Sequence, residues 1–265
     1  MAVQTPIMTM MMRASEKAAR SLIRDFNEVE HLQVSRKGPG DFVSAADRRS
    51  EEIIFEELSK ARPDYAFLME ESGAKGNQNS DYRWIIDPLD GTSNFLHGLP
   101  HWCISIALEH NGQIVAGLVH DPVKDEIFHA EKGKGAFMRR RRLRVSGRAD
   151  AEPSMIATGQ PGRAKAKREK FNAEYQAMQI AGFGLRRFGA AALDLAYVGA
   201  GRFDGFWERD IKAWDIAAGY LIVKESGGFI SDVDDRNKNP VDTGCVLATN
   251  EHLYEPIKKV LKTAS

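Results

Sequence analysis

Acidic side chains at the ends of apolar runs are the residues of this chain best equipped for chemistry. The densest case is WIIDPLDGTSNF, Trp84 to Phe95, in which Trp84, Ile85 and Ile86 read as a short buried strand with Asp87 and Asp90 at its carboxyl end. Pro88 fixes φ and removes a donor while Gly91 permits positive φ, so a sharp turn is expected that points both carboxylates into one small volume. Taken alone, the stretch reads equally as an Asp-rich surface turn with Thr92 or Ser93 capping a helix. Asp47 also has two readings, because Ser44-Ala45-Ala46-Asp47 has the form of a capping box with the acid at the third helical position. Glu70 and Glu71 end the apolar run Tyr65 to Met69; side chains alternate along a strand, so one of the two can face inward. Asp215 stands between Trp214 and Ile216 in an otherwise apolar helix, where an unpaired carboxylate is expensive to desolvate. It needs a cation, which Lys212 or a metal could supply. Oxygen-only donors with no thiolate or imidazole beside them suit a hard ion such as Mg²⁺.

Other chemistries find no support. His97 and His101 are separated by Gly98 and Pro100, which spoil a helical face, and neither a His-Glu-x-x-His nor a paired-cysteine pattern occurs, so zinc is not expected. The chain contains no Gly-x-x-x-x-Gly-Lys-Ser/Thr loop for a P-loop nucleotide enzyme and no Gly-x-Ser-x-Gly for a hydrolase serine. Lys plus Arg and Asp plus Glu both number 37, so bulk charge selects neither nucleic acid nor an anionic membrane. The local exception is Arg139 to Arg142, which reads as a solvated hairpin tip or as a handle for nucleic acid or an acidic partner. Cys103 and Cys245, far apart in apolar company, read as core thiols in a reducing, cytoplasmic setting. No apolar run approaches the ~20 residues of a membrane span, and the cluster Ile7 to Met12 is too short for a signal peptide.

The elements that must position these acids follow from periodicity. Thr5 and Pro6 look like the N-cap and first position of an amphipathic helix carrying Met8, Met11, Ser15, Ala18, Leu22, Phe26 and Val29, its methionines core or subunit-interface filler. Gly38, Pro39 and Gly40 break it, and a second helix starts near Ser44 with Ile53, Ile54 and Leu58 inward. Gly73 to Asp81 reads as a polar loop. Trp102 to Gly147 switches to period two, with Asn111-Gly112 a strong hairpin turn, and reads as an antiparallel meander. From Met155 short strands (155–159, 185–188, 203–208, 229–231, 245–248) alternate with helices (163–181, 190–200, 214–225, 253–262). Mixed α and β in both halves, with no linker rich in Pro, Gly or Ser, favours one continuous unit over residues 1–265, with subdomains of about 1–147 and 148–265.

The stretches DFVSAAD (41–47), EES (70–72), WIIDPLDGTSNF (84–95), GKGAF (133–137), GAAALDLAYVGAGRFDGFWE (189–208) and WDIAAGYLIVKESGG (214–228) together resemble the inositol monophosphatase family of metal-dependent, lithium-sensitive phosphatases, in order and over nearly the whole chain. The resemblance implies a mixed α/β fold, the layered αβαβα sandwich of inositol monophosphatase and fructose-1,6-bisphosphatase-like sugar phosphatases. It implies that Glu70, Asp87, Asp90, Asp215 and the Leu89 carbonyl hold two or three Mg²⁺ ions. Gly91 and Thr92 are similar to phosphate-binding amides at a helix start. Thr92 with Asp47 resembles the pair that orients and deprotonates the attacking water, which favours the catalytic reading of Asp47. Glu208, with the Ala191 amide nearby, is similar to the residue that accepts hydrogen bonds from substrate hydroxyls, and Asp90 and Asp215 border the same pocket.

The implied substrate is an inositol monophosphate, with fructose bisphosphate, histidinol phosphate and phosphoadenosine phosphate as alternatives, and the implied assembly is a homodimer. Some bacterial relatives are associated with RNA and transcription complexes, a role Arg139 to Arg142 would suit. Two departures bear on the substrate: Ala190 stands where many relatives carry Ser or Thr, and the arginine run replaces a small polar turn. Five carboxylates and a phosphate dianion sum to about −7, which three Mg²⁺ ions would nearly neutralise.

Overall fold

Thr5 opens the first helix, α1 (Pro6–Asn27), by accepting the Met8 amide on Oγ1 at 3.2 Å, with Pro6 placed where its missing N–H does no harm. The computed structural model describes residues 5–28, 34–38, 41–160 and 164–264, the side chains of 34–38 and 41–44 excepted. The hairpin β1 (Val34–Gly38) and β2 (Asp41–Ser44) follows α1, then α2 (Ala45–Ala61), β3 (Ala66–Met69), β4 (Gly73–Gly76) and β5 (Tyr82–Asp90). The short helix α3 (Thr92–Leu96) leads to β6 (Cys103–His110), β7 (Gln113–Asp121), β8 (Glu126–Glu131), β9 (Gly135–Met138) and β10 (Arg141–Arg142). The second half runs β11 (Met155–Thr158), α4 (Lys165–Ile180), β12 (Gly184–Arg186), α5 (Ala191–Gly199), β13 (Gly205–Glu208), α6 (Ala213–Glu225), β14 (Phe229–Ser231), α7 (Pro240–Thr243), β15 (Val246–Thr249) and α8 (Tyr254–Thr263).

Two sheets and three helical layers alternate. The large sheet has the order β10-β9-β8-β7-β6-β5-β3-β4, antiparallel except for the parallel pair β3 and β5. The smaller mixed sheet has the order β12-β11-β13-β15-β14. Trp84 and Ile86 of β5 and Ile104, Ile106 and Leu108 of β6 turn toward α1 and α2, while Ile85, Cys103 and Ala107 turn the other way, toward α5 and α6. Ala157, Phe206 and Ala248 of the small sheet close that second core from its far side. On the outer face of the small sheet Ile156, Trp207 and Leu247 pack against Met178 of α4 and Ile257 and Leu261 of α8. The layers therefore read α1α2, large sheet, α5α6, small sheet, α4α8, which is the αβαβα sandwich expected.

Several boundaries differ from the sequence reading, each for a local reason. β5 does not stop at Ile86: pairing with β6 runs on through Asp87 and resumes at Asp90 opposite Cys103 after a bulge, and the turn itself falls at Gly91. The Gly73 to Asp81 stretch is not all loop, since β4 pairs with β3 as an edge strand. Asn239-Pro240 starts the unforeseen α7, with the Asn239 side chain accepting from the Val241 amide at 3.2 Å. Cys103 is buried, but Cys245 is only half-buried, so one of the two expected core thiols lies nearer the surface. Asn111 and Gly112 both take positive φ, 49° and 73°, as the hairpin turn requires. Val29, Pro39, Gly40 and Arg163 lie outside the described residues, as does the Ser44 side chain of the capping-box reading.

The arginine run forms the turn after β9 (Arg139 and Arg140) and β10 (Arg141–Arg142), at the far edge of the large sheet. Its Arg139 takes a positive φ of 53° at the turn and donates to the Asp125 carbonyl at 2.9 Å. Five strands at ~4.8 Å each put β10 roughly 24 Å from β5. The run therefore stands at the opposite side of the large sheet from the β5–β3–β4 edge. Among the described residues no helix is long and apolar enough to cross a membrane.

The apolar face of α1 is spent on this chain's own core: Met8, Met11, Ala14, Ala18 and Leu22 are fully buried against α2 and the large sheet. It is core rather than subunit interface. Met11→Ala should therefore destabilise by ~2–5 kcal/mol by the same amount at every protein concentration. A loss in chemical denaturation that shrinks on dilution would return the stripe to an interface role.

Candidate metal centre and active site

The bulge in β5 is the foundation of the site. The Asp87 carboxylate accepts the Leu89 amide at 2.9 Å, closing the Asp87-Pro88-Leu89 turn on itself. Ser50, one turn beyond Asp47 on the buried face of α2, donates from Oγ to the Pro88 carbonyl at 2.9 Å. Thr92 donates from Oγ1 to the Leu89 carbonyl at 3.0 Å. Gly91 takes φ +91°, and a Cβ there would press on the His101 carbonyl and on the side chains of Ala190 and Trp102 at 3.0–3.2 Å, so both conformation and space demand glycine.

Each remaining acid is delivered to this bulge by a separate tie. Ser105 sits across from Asp87 in the β5–β6 register and donates to the Trp214 carbonyl at 3.0 Å, bringing the first turn of α6 alongside. Asp215 then accepts the Lys212 amide at 2.7 Å, so it caps its own helix while facing Asp87. Asp90 accepts the Ala192 amide at 2.8 Å from the start of α5, and Cys103 approaches the same oxygen at 3.6 Å. The Glu70 amide bonds the Ile86 carbonyl at 3.2 Å and the Glu71 amide bonds the Glu51 carboxylate at 2.8 Å. The two glutamates lie in the turn just beyond β3 and part there: Glu70 bonds Asp87, while Glu71 turns toward Arg48, 3.9 Å away.

Among the described residues, Asp87, Asp90 and Asp215 each present an oxygen such that all three lie within 4.8 Å of one another. Two carboxylates at that separation repel by roughly 3.5 kcal/mol at an effective dielectric of ~20, more than an exposed ion pair returns. Protonation responds accordingly. Burial first, then the charges of Glu70, Asp90 and Asp215, push Asp87 well above the usual carboxylate range. Burial pushes Asp90 up to about 7 against the pull of the Ala192 amide. Burial and then the charge of Asp90 push Asp215 up to about 7. The three converging atoms are carboxylate oxygens, the donor chemistry a hard divalent cation takes.

The other anticipated residues take distinct places. Asp47 is buried in the first turn of α2, on the face that Ser50 pins to Pro88. Glu208 ends β13, half-buried, and burial followed by the charges of Asp215, Asp194 and Asp90 pushes its carboxyl well up. Ala191 begins α5, but the amide seen at work is that of Ala192, one residue on. Ser50, Ser105, Ala192 and Asp194 escaped the sequence reading. The sole signal for Ala192 is a run of small residues after Gly189 at a helix start, and a backbone amide leaves no residue type to notice. Asp194 is buried in the first turn of α5, its carboxyl pushed well up by burial, 3.5 Å from a His101 that burial pushes down to about 4.

The five-layer sandwich with its acidic bulge is the fold of the sugar phosphatases. The chain belongs to the inositol monophosphatase family, whose sequence profile matches residues 3–264. It is 52% identical over 259 residues to an inositol-1-monophosphatase of Mesorhizobium japonicum, covering 98% of this chain and 97% of that one. It is 39% identical over 256 residues to a Nus factor SuhB of Pseudomonas aeruginosa, covering 95% and 94%. Among solved structures, extragenic suppressor protein suhB of Bartonella henselae superposes with a TM-score of 0.93 at 50% identity, covering 97% and 99%. An IMPase of Thermotoga maritima superposes at 0.88 and 33%, covering 98% of each chain.

The raised carboxyls fix a sign. A folded-state pKa above the usual ~3.9 favours folding below that value, and the advantage is lost as pH rises through the folded pKa, here from about 4 to about 7 for Asp90 and Asp215. In metal-free buffer Asp90→Asn should therefore melt on the order of 5 °C above wild type at pH 8, with the gap closing toward pH 5. A variant that melts with or below wild type at pH 8 would contradict the assignment.

Proposed function

We propose that the protein is a Mg²⁺-dependent, lithium-sensitive phosphomonoesterase that hydrolyses inositol monophosphate to inositol and phosphate. The observation that carries this reading is the convergence of Asp87, Asp90 and Asp215, from two distant segments, with an oxygen of each within 4.8 Å of the others. The donor set fits two or three Mg²⁺ ions held by Glu70, Asp87, the Leu89 carbonyl, Asp90 and Asp215. When bound, the metal supplies positive charge to the phosphate and to the oxygen on which charge develops as the ester breaks.

The chain's own residues account for the rest. The amides of Gly91 and Thr92 hold phosphate oxygens at the start of α3. Asp47 and the Thr92 hydroxyl orient a water for in-line attack, and the water's proton passes to Asp47 as its oxygen bonds phosphorus. The bond from phosphorus to the inositol oxygen breaks, and that oxygen leaves protonated by solvent. Glu208 accepts from substrate hydroxyls, with the Ala191 and Ala192 amides beside it. Water is the nucleophile throughout, so no covalent phosphoenzyme is required.

The reading takes residues 1–265 as one cytoplasmic domain, because Asp87 and Asp90 belong to the first half of the chain and Glu208 and Asp215 to the second. A homodimer, which the family resemblance implies, would use a face other than the apolar stripe of α1. The relatives named inositol-1-monophosphatase at about half identity favour an inositol phosphate over other monoesters.

Asp87→Asn tests the assignment. It should retain the fold, since the amide keeps the Asp87 shape at the bulge, yet lose at least ~100-fold in Mg²⁺-dependent phosphate release from inositol monophosphate. Wild-type turnover in a folded variant would remove Asp87 from the site.

A further inference from the structure

The end of β11 is built around an absence. Thr158 pairs with Trp207 in the parallel β11–β13 register, and its Oγ1 donates to the Trp207 carbonyl at 2.7 Å. The next residues along the two strands, Gly159 and Glu208, therefore lie side by side and point to the same face. A Cβ built on Gly159 would fall inside van der Waals contact of Oε1, Cδ and Oε2 of Glu208, and its three nearest neighbours are all atoms of that carboxyl. The φ of Gly159 lies outside the left-handed region, so no backbone conformation calls for glycine there. The carboxyl has claimed the space a side chain would fill. It rests on the Gly159 backbone, with Asp215, Asp194 and Asp90 close enough for their charges to act on it.

We infer that Gly159 is a positioning residue for substrate selection: by lacking a side chain it seats the Glu208 carboxyl against the end of β11 and so sets where a substrate hydroxyl is recognised. This deepens the reading of Glu208 as the hydroxyl acceptor and rests on it. The three atoms a methyl group would meet first are the far end of a flexible side chain, so the fold can absorb Gly159→Ala by letting Glu208 swing away. Recognition cannot, because an acceptor displaced by an ångström no longer meets the hydroxyl it was placed for.

The test compares wild type, Gly159→Ala, Glu208→Ala and the double variant on inositol monophosphate and on phenyl phosphate, which has no hydroxyl to offer. Gly159→Ala should lower the ratio of kcat/KM for inositol monophosphate to that for phenyl phosphate about tenfold, chiefly through KM, as the loss of one hydrogen bond would. In the Glu208→Ala background the same substitution should leave the ratio where that background puts it. An equal loss on both substrates, or an unchanged ratio, overturns the inference. If wild type releases no phosphate from inositol monophosphate, or Glu208→Ala leaves the ratio untouched, the proposed function has failed, and thermal melting then decides on Gly159 alone. Gly159→Ala should melt about 2–4 °C lower with Glu208 present and not in the Glu208→Ala background; an equal drop in both, or none in either, overturns it.

Discussion

The site is organised by repulsion. Asp87, Asp90 and Asp215 would separate if their own charges were consulted, and the surrounding framework does not allow it. Ser50 pins the Pro88 carbonyl, Ser105 pins the Trp214 carbonyl, and the Ala192 amide holds Asp90. None of these ties is strong alone, at ~1 kcal/mol net for a hydrogen bond. They anchor on layers whose burial supplies the larger stabilisation, and the crowding favours protons on the three carboxyls by raising their pKa. A cation is what such a cluster is prepared to exchange for those protons.

The layering explains why the acids can come from opposite halves of the chain. α5 and α6 lie between the two sheets, and both begin at the same edge of the β5–β6 pair, so their first turns face the bulge. A helix start offers unpaired amides, which suit the Asp90 oxygen and, at α6, the Asp215 oxygen. The smaller sheet then supplies Glu208 from the far side, at the end of β13 where the strand gives out. The acids of the cluster and the Glu208 carboxyl thus stand on strand ends and first turns, the places where a packed core must open.

Much of this was legible in the residues. The period-two stretch after Trp102, the Asn111-Gly112 turn and the alternation of strands and helices after Met155 each declare their geometry locally. WIIDPLDGT alone reads equally as a surface turn, and it is its combination with Trp214-Asp215 and the other stretches resembling the inositol monophosphatase family that marks a site. What stayed hidden depends on contact across the chain. The continuation of β5 through Pro88 needs β6 as its partner, and a proline in the run argues locally against a strand. The Ala192 amide carries no side-chain signature, and Ser50 and Ser105 look like any serine until the carbonyl each one holds is known. Gly159 is the extreme case, since its part in the structure is the side chain it lacks.

The most direct measurement is calorimetric titration of Mg²⁺ into metal-stripped protein near pH 6.5, repeated in two buffers of different ionisation enthalpy. Carboxyls that hold protons because they crowd one another must release them as the ion enters, so binding should be saturable, with an observed heat that differs between buffers by the protons set free. Absence of saturable uptake, or uptake whose heat is the same in both buffers, would contradict the claim that crowded carboxylates define this protein's chemistry.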